Sequence, residues 1–373
     1  MGMTSALRAT VDHHPMSDTA ATALLERLVR TPSVSGSEDA AVRAFVETAA
    51  ASGLACEIDE AGNGIARRGN AAATKRIALL GHIDTVPGEI PVRIEHGVLH
   101  GRGSVDAKGP LAAMLSAATR ASVSGNVAID VIAAVGEEAD SLGARFVRDR
   151  IQPDACIIGE PSGWDGVTLG YKGCLRVRAR CERPAAHSAG PDPSAADTLH
   201  AWWTSVRARI EELSGNATGA FERIQATILS MGTARDGLVE TGVLEAGFRL
   251  PVSIGPDELA AALRALAGDA IEIECRGAER ACRSDRNDAV LRALAGGVRS
   301  VGGKPRMKVK TGTADFNVVA PVWACPIAAY GPGDSSLDHT PEERLSIDEY
   351  LRSVRVLVHA IEALAHELIG EPS

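Results

Sequence analysis

Ile77-Ala78-Leu79-Leu80-Gly81-His82-Ile83-Asp84-Thr85-Val86 is the stretch on which the reading of this chain turns. Its opening apolar run predicts a buried strand, and an imidazole and a carboxylate two residues apart then leave the strand end together. An Asp at that distance can orient a metal-binding His or raise its basicity. Alone, an H-x-D step is more often a surface pair or a satisfied core pair than a site, so the surrounding segments have to decide.

Working outward, Val127 to Val135 is a second apolar run, broken only at Asp130 and ending at Gly136-Glu137-Glu138, and Ala155 to Ile158 is a third, ending at Gly159-Glu160. Helical apolar spacing covers residues 17–30, and Ser35-Gly36-Ser37-Glu38 supplies a cap for a second helix to about Ala50. Gly101 to Asp106 leads into an Ala-rich helix over 108–120, with Pro110 tolerated in its first turn. Near-continuously apolar strands alternating with helices predict an α/β fold, a mostly parallel sheet with helices on both faces. From Gly173 the order becomes strand, helix, strand, strand, helix, strand, which is that of a ferredoxin-like α+β unit. A helix over 287–301, short strands at 308–310 and 327–330 and a closing helix over 347–369 return to the first pattern. The expected organisation is a disordered tail (1–16), a first catalytic part (17–172), an inserted domain (173–284) and a second catalytic part (285–373).

Two domains suit a chain of 373 residues. The 39 Lys and Arg against 48 Asp and Glu leave a net charge of −9, which with few aromatics argues against nucleic acid or an anionic membrane as partner. Two local basic runs, Arg176/Arg178/Arg180 and Lys304/Arg306/Lys308/Lys310, alternate and so share a face each; they are either solvated edge-strand faces or a docking strip for an acidic partner. Seven Cys without a C-x-x-C step fit reduced core thiols and a cytoplasmic location. The start lacks an apolar signal core, no segment has transmembrane length, and Met16 is a candidate start, so His13 and His14 are set aside as ligands.

Four polar elements thus fall at the C-terminal ends of core strands: His82, Glu137-Glu138, Glu160 and, beyond Tyr330, the loop reaching His339. Asp106 opens a helix in the same layer. That edge is where open α/β sheets bind ligands. Two imidazoles and several carboxylates there suit a pair of zinc ions bridged by one carboxylate. One acid has to stay outside the ligand set as base, and adjacent Glu137 and Glu138 can divide the roles. Singly, each has a plainer explanation: an acidic loop for Glu137-Glu138, a helix cap for Asp106, an exposed loop residue for His339.

The stretches GHIDTVPG (81–88), GRGSVDAKGP (101–110), GEEAD (136–140), GEPS (159–162), AHSA (186–189) and DHTP (338–341) resemble the dinuclear zinc hydrolases that include acetylornithine deacetylase, succinyl-diaminopimelate desuccinylase, aminoacylase and carboxypeptidase G. The resemblance implies a zinc exopeptidase-like fold interrupted by a lid and dimerisation domain. It also implies a site in which His82 and Glu160 hold one zinc, Glu138 and His339 the other, and Asp106 bridges. Asp84 would orient His82, and Glu137 would be the general base. His187 would reach the partner subunit's active site in a homodimer and stabilise the oxyanion, a role suited to a fixed donor. Arg249 would meet a substrate carboxylate, although the Asn usual before that segment is replaced by Ala234-Arg235-Asp236-Gly237. Cobalt or manganese can replace zinc in such carboxylate-rich sites.

Segments 90–114, 159–173, 310–317 and 330–341 are most similar to one branch, whose members release lysine, or in some organisms ornithine, from a small acidic amino-group carrier protein in lysine and arginine biosynthesis. In that branch Asp315 and Asn317 stand among the substrate contacts, while Ala314-Asp315-Phe316 replaces the usual Ser-Asp-Met. The alternatives are a deacetylase of free acetylornithine or acetyllysine, a succinyl-diaminopimelate desuccinylase, and a non-catalytic binding homologue; retention of five ligands and Glu137 speaks against the last.

Overall fold

The computed structural model describes residues 14–70 and 72–370. It divides into two compact units: the chain up to Leu169 with Ser284–Lys308 and the segment from Val318 on, and Gly170–Arg283 with Val309–Asn317. The second unit therefore takes in the segment 309–317, which the sequence reading assigned to the second catalytic part. The first part of the expected tail lies outside the described residues. Met16, also expected there, is instead 7% exposed, and its N–H donates to Thr119 Oγ1 at 3.2 Å.

In the first unit the chain runs α1 (Asp18–Arg30), α2 (Asp39–Ala51), β1 (Ala55–Ile58), β2 (Gly64–Arg68), β3 (Lys75–His82), β4 (Arg93–Glu95), β5 (Val98–His100), α3 (Lys108–Arg120), β6 (Val127–Ala134), α4 (Leu142–Arg148), β7 (Ala155–Gly159) and β8 (Gly166–Tyr171). The second holds β9 (Gly173–Pro184), α5 (Ala195–Ser214), β10 (Gln225–Arg235), β11 (Val239–Leu250), α6 (Pro256–Ala267), β12 (Glu272–Glu279) and β13 (Cys282–Arg283). The remainder forms α7 (Ala289–Ser300), β14 (Arg306–Lys310), α8 (Asp315–Val319), β15 (Ile327–Ala329), β16 (Arg344–Ser346) and α9 (Ile347–Ile369).

The main sheet has the order β1-β2-β6-β3-β7-β15-β8. Its centre, β6-β3-β7-β15, is parallel, and antiparallel strands extend both sides. Every residue of β6 and β7 is buried, which requires cover on both faces of the sheet. Each Leu or Ile sealed there contributes about 1.5–3 kcal/mol relative to exposure. Register then fixes the site: His82 lies beside Ala134, three residues before Glu137, and Gly81 lies beside Gly159, one before Glu160. The second unit has the order β10-β11-β9-β12, all antiparallel, with α5 and α6 contributing to its own apolar core.

Some local expectations change. The residue at the start of α2 is Glu38, and no side chain caps that helix; the Ser35 hydroxyl is drawn off to Asp84. Arg176, Arg178 and Arg180 share an exposed face, but β9 is an interior strand: Glu245 and Glu274 stand opposite Arg178 and Glu272 opposite Arg180, while Arg176 lies between Gly247 and Arg276. The second basic run is likewise engaged locally: Arg306 pairs with Asp165, Lys308 donates to the Ser162 carbonyl and Lys310 lies over the Tyr171 ring. All seven Cys are free thiols, and among the described residues no helix is long and apolar enough to cross a membrane.

Candidate metal centre

Five side chains converge at the C-terminal edge of the parallel strands, all within the first unit. Asp106 stands between two imidazoles, its Oδ1 at 3.2 Å from His82 Nε2 and its Oδ2 at 3.1 Å from His339 Nε2. Glu160 Oε1 lies 4.0 Å from His82 Nε2, and Glu138 Oε1 lies 2.9 Å from His339 Nε2. Donor atoms of His82, Asp106 and Glu160 fall within 4.8 Å of one another, as do those of Asp106, Glu138 and His339, so the two groups share Asp106. A third group, His82, Glu137 and Glu138, meets the same limit. Glu137 therefore also borders the cluster.

Backbone geometry puts these groups where they are. His339 has a φ of 61°, uncommon for a residue with a Cβ and the kind of outlier that collects at functional sites. At the start of α3, a Cβ on Gly109 would sit 2.3 Å from the Ser104 carbonyl oxygen, so only Gly allows the helix to begin this close to the loop carrying Asp106.

Asp84 organises the layer beneath. Its Oδ1 accepts from the Glu137 N–H at 3.1 Å, and its Oδ2 accepts from the Glu138 N–H at 3.0 Å and from Ser35 Oγ at 2.7 Å. His82 Nδ1 is 3.4 Å from Oδ1 and closer, 3.0 Å, to the Asp84 carbonyl oxygen. A carbonyl only accepts, so Nδ1 carries a proton and Nε2 is the nitrogen aimed at the cluster, the tautomer a metal ligand needs.

The donor set suits a cation. Burial alone disfavours the His82 imidazolium, but hydrogen bonds to Asp106 and Asp84 and the Glu137 charge overcome it and hold the pKa well above the ordinary value. The Asp106 hydrogen bond likewise lifts His339 to about 9, against burial and with help from Glu138. Burial raises Glu138 to about 7, with Asp106 pushing the same way and the two imidazoles opposing. Protons are held here because carboxylates crowd a poorly solvated space, which is where a divalent ion is favoured instead. Asp84 is the exception: burial would raise it, yet His82, Ser35 and the Glu138 N–H bring it below the usual carboxylate range.

The remaining sequence-predicted residues belong to the second unit. His187 is exposed, and its Nδ1 accepts from the Ala189 N–H at 3.1 Å, so in the neutral ring Nε2 carries the proton as an outward donor. Arg249 Nη1 donates to Thr313 Oγ1 at 3.1 Å. Asn317 is 1% exposed, Oδ1 accepts from Ala314 N–H, and Nδ2 donates to the carbonyls of Lys172 and Arg280, so it staples its own loop. Asp315 is buried beside it. Reading the sequence missed Ser35, Arg102, Lys108 and Glu343, which surround the centre; the neighbourhood of Glu343 and His339 in DHTPEE was the one available signal.

A fold and centre of this kind define a metal-dependent peptidase-type hydrolase, and the chain belongs to peptidase family M20/M25/M40, whose model matches residues 78–363. Among its relatives are the LysW-lysine hydrolase of Deinococcus radiodurans, 44% identical over 92% of this chain and 97% of that protein, and a putative LysW-lysine/LysW-ornithine hydrolase of Thermococcus kodakarensis, 40% identical over 94% of each. Solved structures with the same fold include a Staphylococcus aureus tripeptidase (TM-score 0.77, 17% identity, 94% of this chain and 100% of that one) and an M20 family metallo-carboxypeptidase from Sulfolobus solfataricus (TM-score 0.76, 18% identity, 92% and 99%).

Proposed function

We propose that this protein hydrolyses the bond joining the α-amino group of lysine, or of ornithine, to a small acidic carrier protein of the LysW type. The observation that carries the chemistry is Asp106 standing between the Nε2 atoms of His82 and His339, with Glu160 and Glu138 flanking and Glu137 at the border. Identity of 44% to a LysW-lysine hydrolase along nearly the whole chain supports the substrate.

His82 and Glu160 would hold one zinc, Glu138 and His339 a second, with Asp106 shared. Charge supports a cationic occupant: the carboxylates of Asp106, Glu137, Glu138 and Glu160 gather about two imidazoles. Zinc held there would supply Lewis acidity toward the scissile carbonyl and water. Glu137 takes the proton of the attacking water on its carboxylate and returns it to the amine nitrogen as the C–N bond breaks. Asp84 keeps the His82 proton on Nδ1 and fixes the peptides of Glu137 and Glu138. In the homodimer His187 would offer its Nε2–H to the oxyanion developing in the partner subunit's active site, and Arg249 would meet the substrate carboxylate.

The assembly is a homodimer. Strand β10 supports this: it is a sheet edge, exposed along most of its length, and it shows Ile228, Leu229 and Met231 to solvent. Purified, zinc-loaded protein should release lysine or ornithine from the carrier adduct. Turnover of acetylated amino acids with none of the adduct would overturn the carrier reading.

A further inference from the structure

Glu343 lies four residues beyond His339, and its side chain is fully buried. One carboxylate oxygen, Oε1, accepts from two successive backbone N–H groups, Val105 at 2.9 Å and Asp106 at 3.1 Å. The other, Oε2, accepts from Arg102 Nη1 at 2.8 Å, and Arg102 Nε reaches back to the Gly88 carbonyl at 3.1 Å. The Glu343 carbonyl takes the Gly101 N–H at 3.3 Å. Three separate loops are joined in this way: the one after His82, the one presenting Asp106 and the one presenting His339.

The contacts close a circuit. The 339–343 segment meets Asp106 twice, with the His339 imidazole at the side-chain carboxylate and the Glu343 carboxylate at the peptide N–H. A shift of this segment must therefore move two of the groups that hold Asp106, the third being the His82 imidazole. Charge matters too, because a carboxylate accepting N–H bonds makes them shorter and stronger than a neutral acceptor does.

We propose that Glu343 is a positioning residue of the metal centre: it holds the Val105–Asp106 peptide so that Asp106 stays between His82 and His339, and Arg102 holds Glu343. This deepens the proposed metal-dependent reading and rests on it. The test measures zinc affinity by competition with a chromophoric chelator, alongside the melting temperature of the metal-free protein. Glu343→Ala should weaken zinc roughly 10–100-fold, the usual cost of losing a group that orients a ligand. Glu343→Gln, whose carbonyl still accepts both N–H groups while its NH2 opposes Arg102 Nη1, should weaken zinc clearly less than Glu343→Ala does. Leu345→Ala, a core truncation two residues away, should lower the melting temperature without moving zinc affinity.

Three results would overturn the proposal: wild-type affinity in Glu343→Ala, equal loss in Glu343→Gln, or equal loss in Leu345→Ala. If Glu343→Ala does not fold, Glu343→Asp against Glu343→Gln decides, since Asp withdraws the carboxylate by one methylene and should bind zinc more weakly; equal affinities overturn it. Absence of zinc binding by the wild type would sink the metal reading together with this one, whereas normal wild-type binding with an unaffected Glu343→Ala sinks this one alone.

Discussion

Asp84→Asn is the sharpest perturbation of the layer beneath the metal centre, because it changes one atom and keeps the shape. Each carboxylate oxygen of Asp84 accepts a backbone N–H, from Glu137 or from Glu138, so a side-chain NH2 must oppose one of them whichever way it is turned. Placed at Oδ2 it faces the Glu138 N–H, while the Ser35 hydroxyl can rotate to accept; placed at Oδ1 it faces both the Glu137 N–H and the His82 Nδ1–H. The first orientation is preferred. It leaves one buried donor unsatisfied, at roughly 1–3 kcal/mol, and converts the surviving bonds from charged to neutral at roughly 1 kcal/mol each. Removing a buried charge returns part of its desolvation cost. The net is a destabilisation of about 2–4 kcal/mol.

The assay is urea unfolding of metal-free protein in a Trp202→Phe/Trp203→Phe background, which leaves Trp164 and Trp323 reporting the first unit. Asp84 has a lowered pKa, so its contribution is complete above its unfolded value of about 3.9 and is lost as pH falls through the folded value. The gap between wild type and Asp84→Asn should be full at about pH 6 and narrow below about pH 4. Zinc affinity should fall roughly 10–100-fold, since the Glu138 peptide loses its acceptor, although His82 Nδ1 keeps the Asp84 carbonyl. A change under about 0.5 kcal/mol together with wild-type zinc affinity would refute the reasoning.

Glu137→Ala should cut turnover roughly 10²–10⁴-fold while zinc content by elemental analysis is unchanged, whereas Glu160→Ala should lose zinc; equal metal loss in both contradicts the division of roles. In metal-free protein, Glu138 is raised to about 7 and His339 to about 9, so the folded state holds more protons than the unfolded one. The Glu138 part is present below its ordinary 4.5 and lost through about 7, and the His339 part is present below 6.5 and lost through about 9. The melting temperature should therefore fall across that range without zinc and much less with it; a flat metal-free profile counts against these protonations. Leu229→Asp, on a side chain 57% exposed, should shift sedimentation from dimer to monomer while the chain stays folded; an unchanged mass places the dimer surface elsewhere.

Strand ends were legible because burial leaves a one-dimensional trace: a mostly apolar run followed by Gly and a polar residue appears in order along the chain, as in 77–84, 127–138 (broken only at Asp130) and 155–160. Unit limits were less so. The segment 309–317 groups with the second unit through contacts far away in sequence, among them Asn317 with the carbonyls of Lys172 and Arg280 and Thr313 with Arg249. No periodicity encodes such partners. The same cause hides the bonds Asn317 makes within its own loop: a polar residue reads as available until its acceptors are known.

Residues that act on a ligand directly and residues that act through the backbone differ in what they leave in a sequence. His82, Asp106, Glu138, Glu160 and His339 are the chemical types a metal requires, so their identities and strand-end positions are informative together. Ser35 and Glu343 act on peptide groups and on other carboxylates, and any hydroxyl or acid within reach would serve, so residue type alone says nothing. Ser35 shows the confusion: a Ser just ahead of a helix has the local signature of a cap, yet its hydroxyl bonds Asp84 Oδ2 at 2.7 Å, 49 residues along the chain. A cap contributes about 1 kcal/mol, and an acceptor with a negative charge draws a hydroxyl more strongly than a neutral peptide does. Beside a centre crowded with carboxylates, electrostatics therefore overrides local propensity, and departures from local rules collect around the candidate metal ligands.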